Sequence, residues 1–304
     1  MNIFLYILGQ VVFFVVVAPF VSGLVSWVKN RIRMRQGPGP LQPYDNIFKY
    51  FFKNETISET ASWIFRMAPA VVLASCLAAS LFIPVFGYAP LSGLGDFLVL
   101  IFVFSLARFF LALAALDTGS SLTGMGSSRE MFISSLVEPV ICLVVFSVGL
   151  TFSSTSVSAF SGWHGVSASS LAAAGSLFMV ILAETSRIPV DNQETHLELT
   201  MIHEAMLLEY SGRSLALLEW ASHVKQLIWF FLLCQIVFPI GFPGGSMPVI
   251  SWGLWFAARM AVVICSVALT EISIAKMRLL RVPDFLGFAF VLGVIGLVCS
   301  ALGA

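Results

Sequence analysis

Six carboxylates fall within one short stretch: Glu184, Asp191, Glu194, Glu198, Glu204 and Glu209. Apolar residues are threaded between them, among them Leu197, Leu199, Met201, Ile202, Met206, Leu207 and Leu208. A freely solvated acidic loop has no need of those side chains. The pattern predicts a segment folded against protein, with its carboxylates turned into a polar interior. Burial raises a carboxyl pKa toward neutrality, so acids held that way can exchange protons. Glu194 and Glu198 are spaced one helical turn apart. A further acid, Glu138, precedes Pro139 inside an apolar run. A helical proline frees the carbonyl one turn back, which makes a carboxylate beside it a candidate proton or water station. The expected site is therefore an acidic path of Glu138, Glu184, Asp191, Glu194, Glu198, Glu204 and Glu209.

Other charges sit in costly places. Arg108, Arg259 and Glu271 interrupt apolar runs, and Asp117 and Glu130 lie at the ends of such runs. An ionisable group near a bilayer centre costs at least a few kcal/mol, so it faces protein or water. The ordinary alternative for each is a structural ion pair or a side chain reaching to the interface. Metal chemistry is not expected within this chain. The five cysteines (Cys76, Cys142, Cys234, Cys265, Cys299) lie in apolar stretches and form no CxxC pair. His196-x-Glu198 and His203-Glu204 do not make the His-Glu-x-x-His pattern of zinc hydrolases.

These residues need elements to hold them. The chain has 304 residues, of which 59% are hydrophobic and 11% charged. A soluble domain averages roughly 25% charged residues, so this composition calls for lipid around it. A helix crossing about 30 Å of hydrocarbon needs about 20 mostly apolar residues. Eight segments qualify, over 4–27, 67–88, 94–116, 131–153, 168–186, 223–245, 250–273 and 282–302. The fold class expected is an all-α integral membrane protein of about eight transmembrane helices. One membrane domain spans 1–304, with no soluble domain. The N-terminus lacks a basic region and a small-residue cleavage site, so the first run reads as a retained helix.

Basic residues fix an orientation. Lys29, Arg31, Arg33, Arg35, Lys49, Lys53 and Arg66 lie between the first and second segments. Arg129 follows the third; Arg187 and Arg213 follow the fifth; Lys276, Arg278 and Arg281 follow the seventh. The other connections and both tails carry no Lys or Arg. By the positive-inside rule both termini face away from the cytoplasm, and the long loops at 28–66 and 187–222 face it. Loops of that size, on a chain without a soluble domain, are where partners engage. The run from Arg31 through Arg33 and Arg35 into Gly37-Pro38-Gly39-Pro40 ends a helix with charges suited to anionic lipid head groups.

Arg35-Gln36-Gly37-Pro38-Gly39 with Leu41-Gln42-Pro43 resembles the basic Gly-Pro loop of the NADH–quinone oxidoreductase subunit 1 family. Glu184-Thr185-Ser186-Arg187-Ile188-Pro189-Val190-Asp191, followed by Glu209-Tyr210-Ser211-Gly212, resembles that family's second signature. Two further stretches, Ala107 to Ser120 and Gly126-Ser127-Ser128-Arg129-Glu130, are similar to one branch of it, formate hydrogenlyase subunit 4 and hydrogenase-4 component C. His196 to Gly212 is similar to that branch as well. The resemblance implies the membrane anchor of an energy-converting nickel–iron hydrogenase or a complex I-like relative. It implies that hydrogenase large-subunit-like and small-subunit-like proteins and an iron–sulfur protein dock on the two long loops. The nickel–iron centre and iron–sulfur clusters would sit in those partners, with antiporter-like membrane subunits alongside carrying protons or sodium ions. Residues implied in coupling or docking are Arg31, Arg33, Arg35, Gly37, Pro38, Arg108, Asp117, Arg129, Glu130, Arg187 and Tyr210. Two other readings stay open: a quinone-site subunit of a respiratory oxidoreductase, and a stand-alone secondary ion transporter.

Overall fold

The computed structural model describes residues 3–58, 60–85, 95–157, 167–192, 201–238 and 249–303. Among them ten α-helices run in the order α1 (Ile3–Ile32), α2 (Gln42–Phe51), α3 (Trp63–Ser80), α4 (Phe97–Asp117), α5 (Ser121–Phe152), α6 (Ala168–Glu184), α7 (His203–Leu207), α8 (Gly212–Val237), α9 (Val249–Ser273) and α10 (Val282–Leu302). Seven are long and apolar enough to cross a membrane, and α6 is a shorter apolar helix of the same kind. These eight match the eight expected spans. The chain is an all-α, multi-pass membrane protein.

Several boundaries differ from those expected, and the reasons are physical. Helix α1 has 30 residues and α5 has 32. At 1.5 Å per residue both are about 45 Å long, beyond the hydrocarbon thickness of about 30 Å. Helix α5 thus begins ten residues before its apolar run, through the small polar residues from Ser121 onward. Helix α8 spans 212–237 rather than 223–245. Its first eleven residues, with Arg213 and Glu219 among them, lie inside the helix, where hydropathy alone reads a loop. The loop expected at 187–222 therefore ends in helix, and the loop at 28–66 contains α2.

Helix α8 is the hub. It packs on α1, α2, α3, α6 and α9. The run Trp229-Phe230-Phe231-Leu232 is buried on every side, as expected of a helix that is apolar all round and enclosed by others. Lipid is as apolar as leucine, so association in the membrane depends on close packing and interhelical hydrogen bonds. Such bonds attach α10: Ser176 Oγ of α6 donates to the Ala289 carbonyl at 2.8 Å, and Ser300 Oγ donates to the Ser147 carbonyl of α5 at 3.0 Å.

At the basic end the two long loops are joined to each other. The Thr56 N–H donates to Ser211 Oγ at 2.8 Å, and that hydroxyl donates to the Thr56 carbonyl at 3.0 Å. Ser214 donates to the Glu55 carboxylate. Helix α2 carries Pro43 in its first turn, buries Ile47 and sets Phe51 against Trp220 of α8. Gly212 opens α8 with φ +55°. A Cβ there would meet the Asn54 and Lys53 carbonyl oxygens at 2.9 Å. A left-handed backbone costs an ordinary residue about 1–2 kcal/mol before any clash. Gly212→Ala should therefore lower the thermal midpoint of the purified chain in detergent. Gly253→Ala, where a Cβ meets nothing within 4 Å, should leave it unchanged.

Candidate functional site

The site is built on one guanidinium. Arg108 lies midway along α4 and is 8% exposed. Its Nη2 meets Glu184 Oε1 at 2.5 Å and its Nη1 meets Glu138 Oε1 at 3.3 Å. Glu184 ends α6, and its other oxygen is 2.6 Å from Lys225 Nζ of α8. Two cations and two anions from four helices thus balance at the centre of the bundle. Ser105 Oγ, three residues before Arg108 on the same face of α4, adds a 2.8 Å bond to Glu138 Oε1.

A cavity of about 560 Å³ opens beside this group, bordered by Arg108, Glu184, Lys225 and Gln226. Its other walls carry Glu130, Glu204, Glu219, His203, His223 and Tyr50. On α8 the lining residues Glu219, Ser222, His223 and Gln226 follow an i, i+3, i+4, i+7 spacing, which is one helical face. A polar stripe on a membrane helix belongs against water or protein. Gln226 Nε2 and Arg108 Nε are buried with no hydrogen-bond partner among the described residues. Buried polar atoms of this kind are normally met by ordered water. Burial, then Glu219 and Glu204, pushes the Tyr50 hydroxyl above its ordinary pKa, so it remains a donor facing these acids.

A second cluster ties the helix ends together. Arg187 Nη1 meets Glu271 Oε1 at 2.7 Å, and Lys29 Nζ meets Glu271 Oε2 at 3.0 Å. Arg187 Nη2 donates to Gln226 Oε1 at 3.1 Å, which links this cluster to the cavity wall. Arg33 Nη2 reaches the Glu271 carbonyl at 3.4 Å. A third pair holds the acidic loop. Asp191 is 1% exposed and sits 2.7 Å from Lys276 Nζ. Its Oδ2 accepts from the Ile202 and His203 N–H groups at 3.1 and 3.3 Å.

Among the expected path residues, Glu184 and Glu204 border the cavity, and Glu138 joins it through Arg108. Asp191 lies outside the cavity, committed to Lys276 and the loop backbone. Glu209 is half-buried and does not line it. Glu194 and Glu198 lie outside the described residues. Among the coupling or docking residues, Arg31, Arg35, Gly37 and Pro38 are exposed beyond the membrane-spanning part of α1. Arg108, Arg187 and Tyr210 are turned inward instead. Tyr210 stacks on Phe65 with ring centroids 4.0 Å apart and donates to the Phe65 carbonyl at 3.1 Å. Its burial, with Asp117 and Glu55 nearby, holds the phenol protonated well above the usual range. Asp117 accepts from the Ser62 N–H at 2.7 Å, closing α4 onto the start of α3. Arg129 donates to the Met201 carbonyl at 3.0 Å, and Glu130 lies 4.0 Å from His203. Sequence reading missed Lys225, His223 and Glu219 as site residues. The spacing of His223 with Glu219, Ser222 and Gln226 was the signal, and the misplaced start of α8, at 223, left Glu219 and Ser222 outside the expected helix.

An eight-helix membrane bundle with a charged cavity at one end and buried ion pairs beside it defines the class: a multi-pass membrane protein with a polar interior. The chain belongs to the NADH dehydrogenase family, whose model matches residues 5–301. It is 32% identical to formate hydrogenlyase subunit 4 of Escherichia coli (strain K12) over 302 residues, 94% of this chain and 96% of that protein. It is 34% identical to hydrogenase-4 component C of the same organism over 243 residues, 78% of this chain and 76% of that protein. An NADH-quinone oxidoreductase subunit of Syntrophotalea carbinolica is 28% identical over 249 residues, 75% of this chain and 74% of that protein. Among solved structures, a chain of the membrane-bound sulfane sulfur reductase, an archaeal respiratory membrane complex, superposes with a TM-score of 0.87. It covers 99% of this chain and 100% of its own at 18% identity, a likeness of fold.

Removing one partner of a buried ion pair leaves an uncompensated charge and costs about 3–5 kcal/mol. Arg108→Met should destabilise the chain by roughly that amount in denaturant unfolding in mixed micelles. Adding Glu184→Met should restore part of the loss; no recovery would mean that the two side chains do not interact.

Proposed function

We propose that this chain is the membrane-anchor and coupling subunit of an energy-converting nickel–iron hydrogenase-type complex. The observation that carries the reading is the continuity of Glu204, the cavity, Glu184, Arg108 and Glu138, a line of charges from the basic end of the bundle to mid-membrane. The relatives support the class of complex. Soluble redox subunits would dock on the basic end, where Arg31, Arg35, Gly37 and Pro38 are exposed. They would hold the nickel–iron centre and the iron–sulfur clusters. Antiporter-like membrane subunits would move protons or sodium ions, and the acidic path would link the two. On this reading the protein lies in the inner (cytoplasmic) membrane with both termini on the non-cytoplasmic side, because every loop rich in Lys and Arg lies at the other end.

One observation favours a second reading, a quinone-site subunit. The cavity is bordered by Ser22 and Ser26 of α1, and a quinone chamber would need to open at this end of the first helix. Its inner wall, however, carries Arg108, Glu184 and Lys225, which suit water and protons better than a quinone ring. Inhibitors of quinone reduction would stop turnover if this second reading held.

Mild-detergent affinity purification from native membranes, with mass spectrometry and metal analysis, tests the first reading. Nickel, iron and antiporter-like chains should co-purify; recovery of the chain alone and metal-free would sink it. Within the assembled complex, Glu184→Gln should block or uncouple turnover while assembly persists. Undiminished activity together with undiminished ion pumping would remove Glu184 from the path.

A further inference from the structure

Buried cations elsewhere in the chain are paired: Lys29 and Arg187 with Glu271, and Arg108 with Glu138 and Glu184. Arg259 of α9 is 3% exposed, yet no carboxylate meets it among the described residues. Its contacts are the Phe238 carbonyl, to which Nη1 donates at 3.1 Å, and the Trp255 ring, 5.9 Å from the guanidinium carbon. Its Nε is buried with no hydrogen-bond partner among the described residues. A buried ion without a counter-charge is costly. The sequence has no acid to spare at that end. In the connections away from the basic loops, 81–96, 153–167 and 238–248, Asp96 is the only Asp or Glu. It accepts from Thr155 Oγ1 at 3.2 Å, between the start of α4 and the end of α5.

The depth of the guanidinium follows from α8. Trp220 of α8 meets α2 at the basic end, and Phe238 lies 18 residues further on, about 27 Å along the axis. That is nearly the whole hydrocarbon thickness of about 30 Å, so Phe238 sits at the opposite boundary. Helical side chains lean toward their own N-terminus, and α9 starts at that boundary. Arg259 therefore extends toward the head groups, as arginines near helix ends do. Trp255, one turn nearer the boundary and 47% exposed, stands at the level where tryptophans line membrane surfaces. One aromatic side chain thus separates the guanidinium from lipid. Gln235 adds a second polar group. Phe231, Gln235 and Phe238 follow an i, i+4, i+7 spacing on one face of α8. That face meets α9, since the Phe231 ring lies 6.0 Å from Phe256 and the Phe238 carbonyl holds Arg259. Gln235 is buried, and neither its amide nitrogen nor its oxygen has a partner among the described residues.

We propose that Arg259, with Gln235 beside it, binds the phosphate of an anionic phospholipid in the leaflet away from the basic loops. The planar fork of a guanidinium matches phosphate oxygens. With no acid of the chain to balance it, the site carries a net positive charge. A head group of net negative charge balances that; the added cation of a choline head group does not. Leu254 and Val262 are exposed on α9 and offer apolar surface to the acyl chains. Inorganic phosphate has the same head chemistry, but it must leave water to reach this depth, where a lipid phosphate already resides.

The test is photolabelling of the full chain in phosphatidylcholine nanodiscs that contain a diazirine-bearing phosphatidylglycerol, with adducts mapped by mass spectrometry. Adducts are expected on the peptides that carry the end of α8 and the first turns of α9. On the unaltered chain the phosphatidylglycerol probe should exceed a diazirine-bearing phosphatidylcholine about tenfold there, the worth of one charge-assisted contact. Arg259→Gln should reduce these adducts by about the same factor, while labelling at the basic end around Arg31 and Arg35 persists. Arg259→Lys, which keeps the charge, should keep most of them, and that rescue separates lost binding from a lost fold. Equal labelling by the two probes on the unaltered chain would overturn the proposal, as would full labelling of Arg259→Gln. Displacement of the adducts by excess inorganic phosphate would assign the site to a free anion and overturn the lipid as its ligand.

Discussion

A guanidinium held at mid-bundle is the constraint on which the rest of the site depends. A guanidinium stays charged wherever it is placed, so Arg108 needs counter-ions in that position; the desolvation cost of a buried ion is several kcal/mol even after relaxation. The fold meets this with carboxylates from two other helices, Glu138 on α5 and Glu184 on α6. Glu184 in turn requires Lys225 of α8. These pairs fix four helices at one level. The result is a neutral group enclosed on its outer flank by phenylalanines and open on its inner flank to a polar cavity. Any rearrangement of one helix separates a charge from its partner and unsettles the others.

The remaining ion clusters apply the same logic at the basic end. Lys29 of α1, Arg187 after α6 and Glu271 of α9 come from segments far apart in the chain. Asp191 and Lys276 pair across two connections, and Met277 donates its N–H to the Pro189 carbonyl at 2.9 Å. Apolar attraction between helices is weak in lipid, so charge pairs and short polar contacts largely set helix order. The acidic segment is thereby anchored through Asp191, while Glu184 before it and Glu204 after it border the cavity. A segment that looks uniformly acidic in sequence is divided by structure into anchoring acids and cavity acids.

Much of the fold was legible in the sequence because a membrane span is written in composition. The segments at 250–273 and 282–302 coincide closely with α9 and α10, whose apolar runs extend nearly to the helix ends. Helix α8 was misplaced for the opposite reason. It is enclosed by protein, so its first three turns can carry Arg213, Ser214 and Glu219 within the helix, and hydropathy cannot distinguish such residues from a loop. Glu138 and Glu184 were legible as costly charges, yet their partners were not. The pairing of Arg108 with both depends on α4, α5 and α6 meeting at one depth, which no local pattern encodes. Tyr210 stood within a recognisable motif, but only packing reveals that its ring is buried against Phe65.

The fork at Arg108 has a consequence for how the two acids behave. One guanidinium shared between carboxylates on different helices makes their positions interdependent, because both acids draw on the same cation. Neutralising Glu184 weakens one arm and frees the other to hold Glu138 more closely; neutralising Glu138 does the reverse. Lys225 biases this balance from the cavity side, where the charges of Glu204 and Glu219 can influence it. The charges at the cavity and Glu138 therefore bear on one guanidinium without a residue having to travel between them. The physical requirement is only that the guanidinium keep both contacts within reach, which its planar geometry and its burial between α4, α5 and α6 provide.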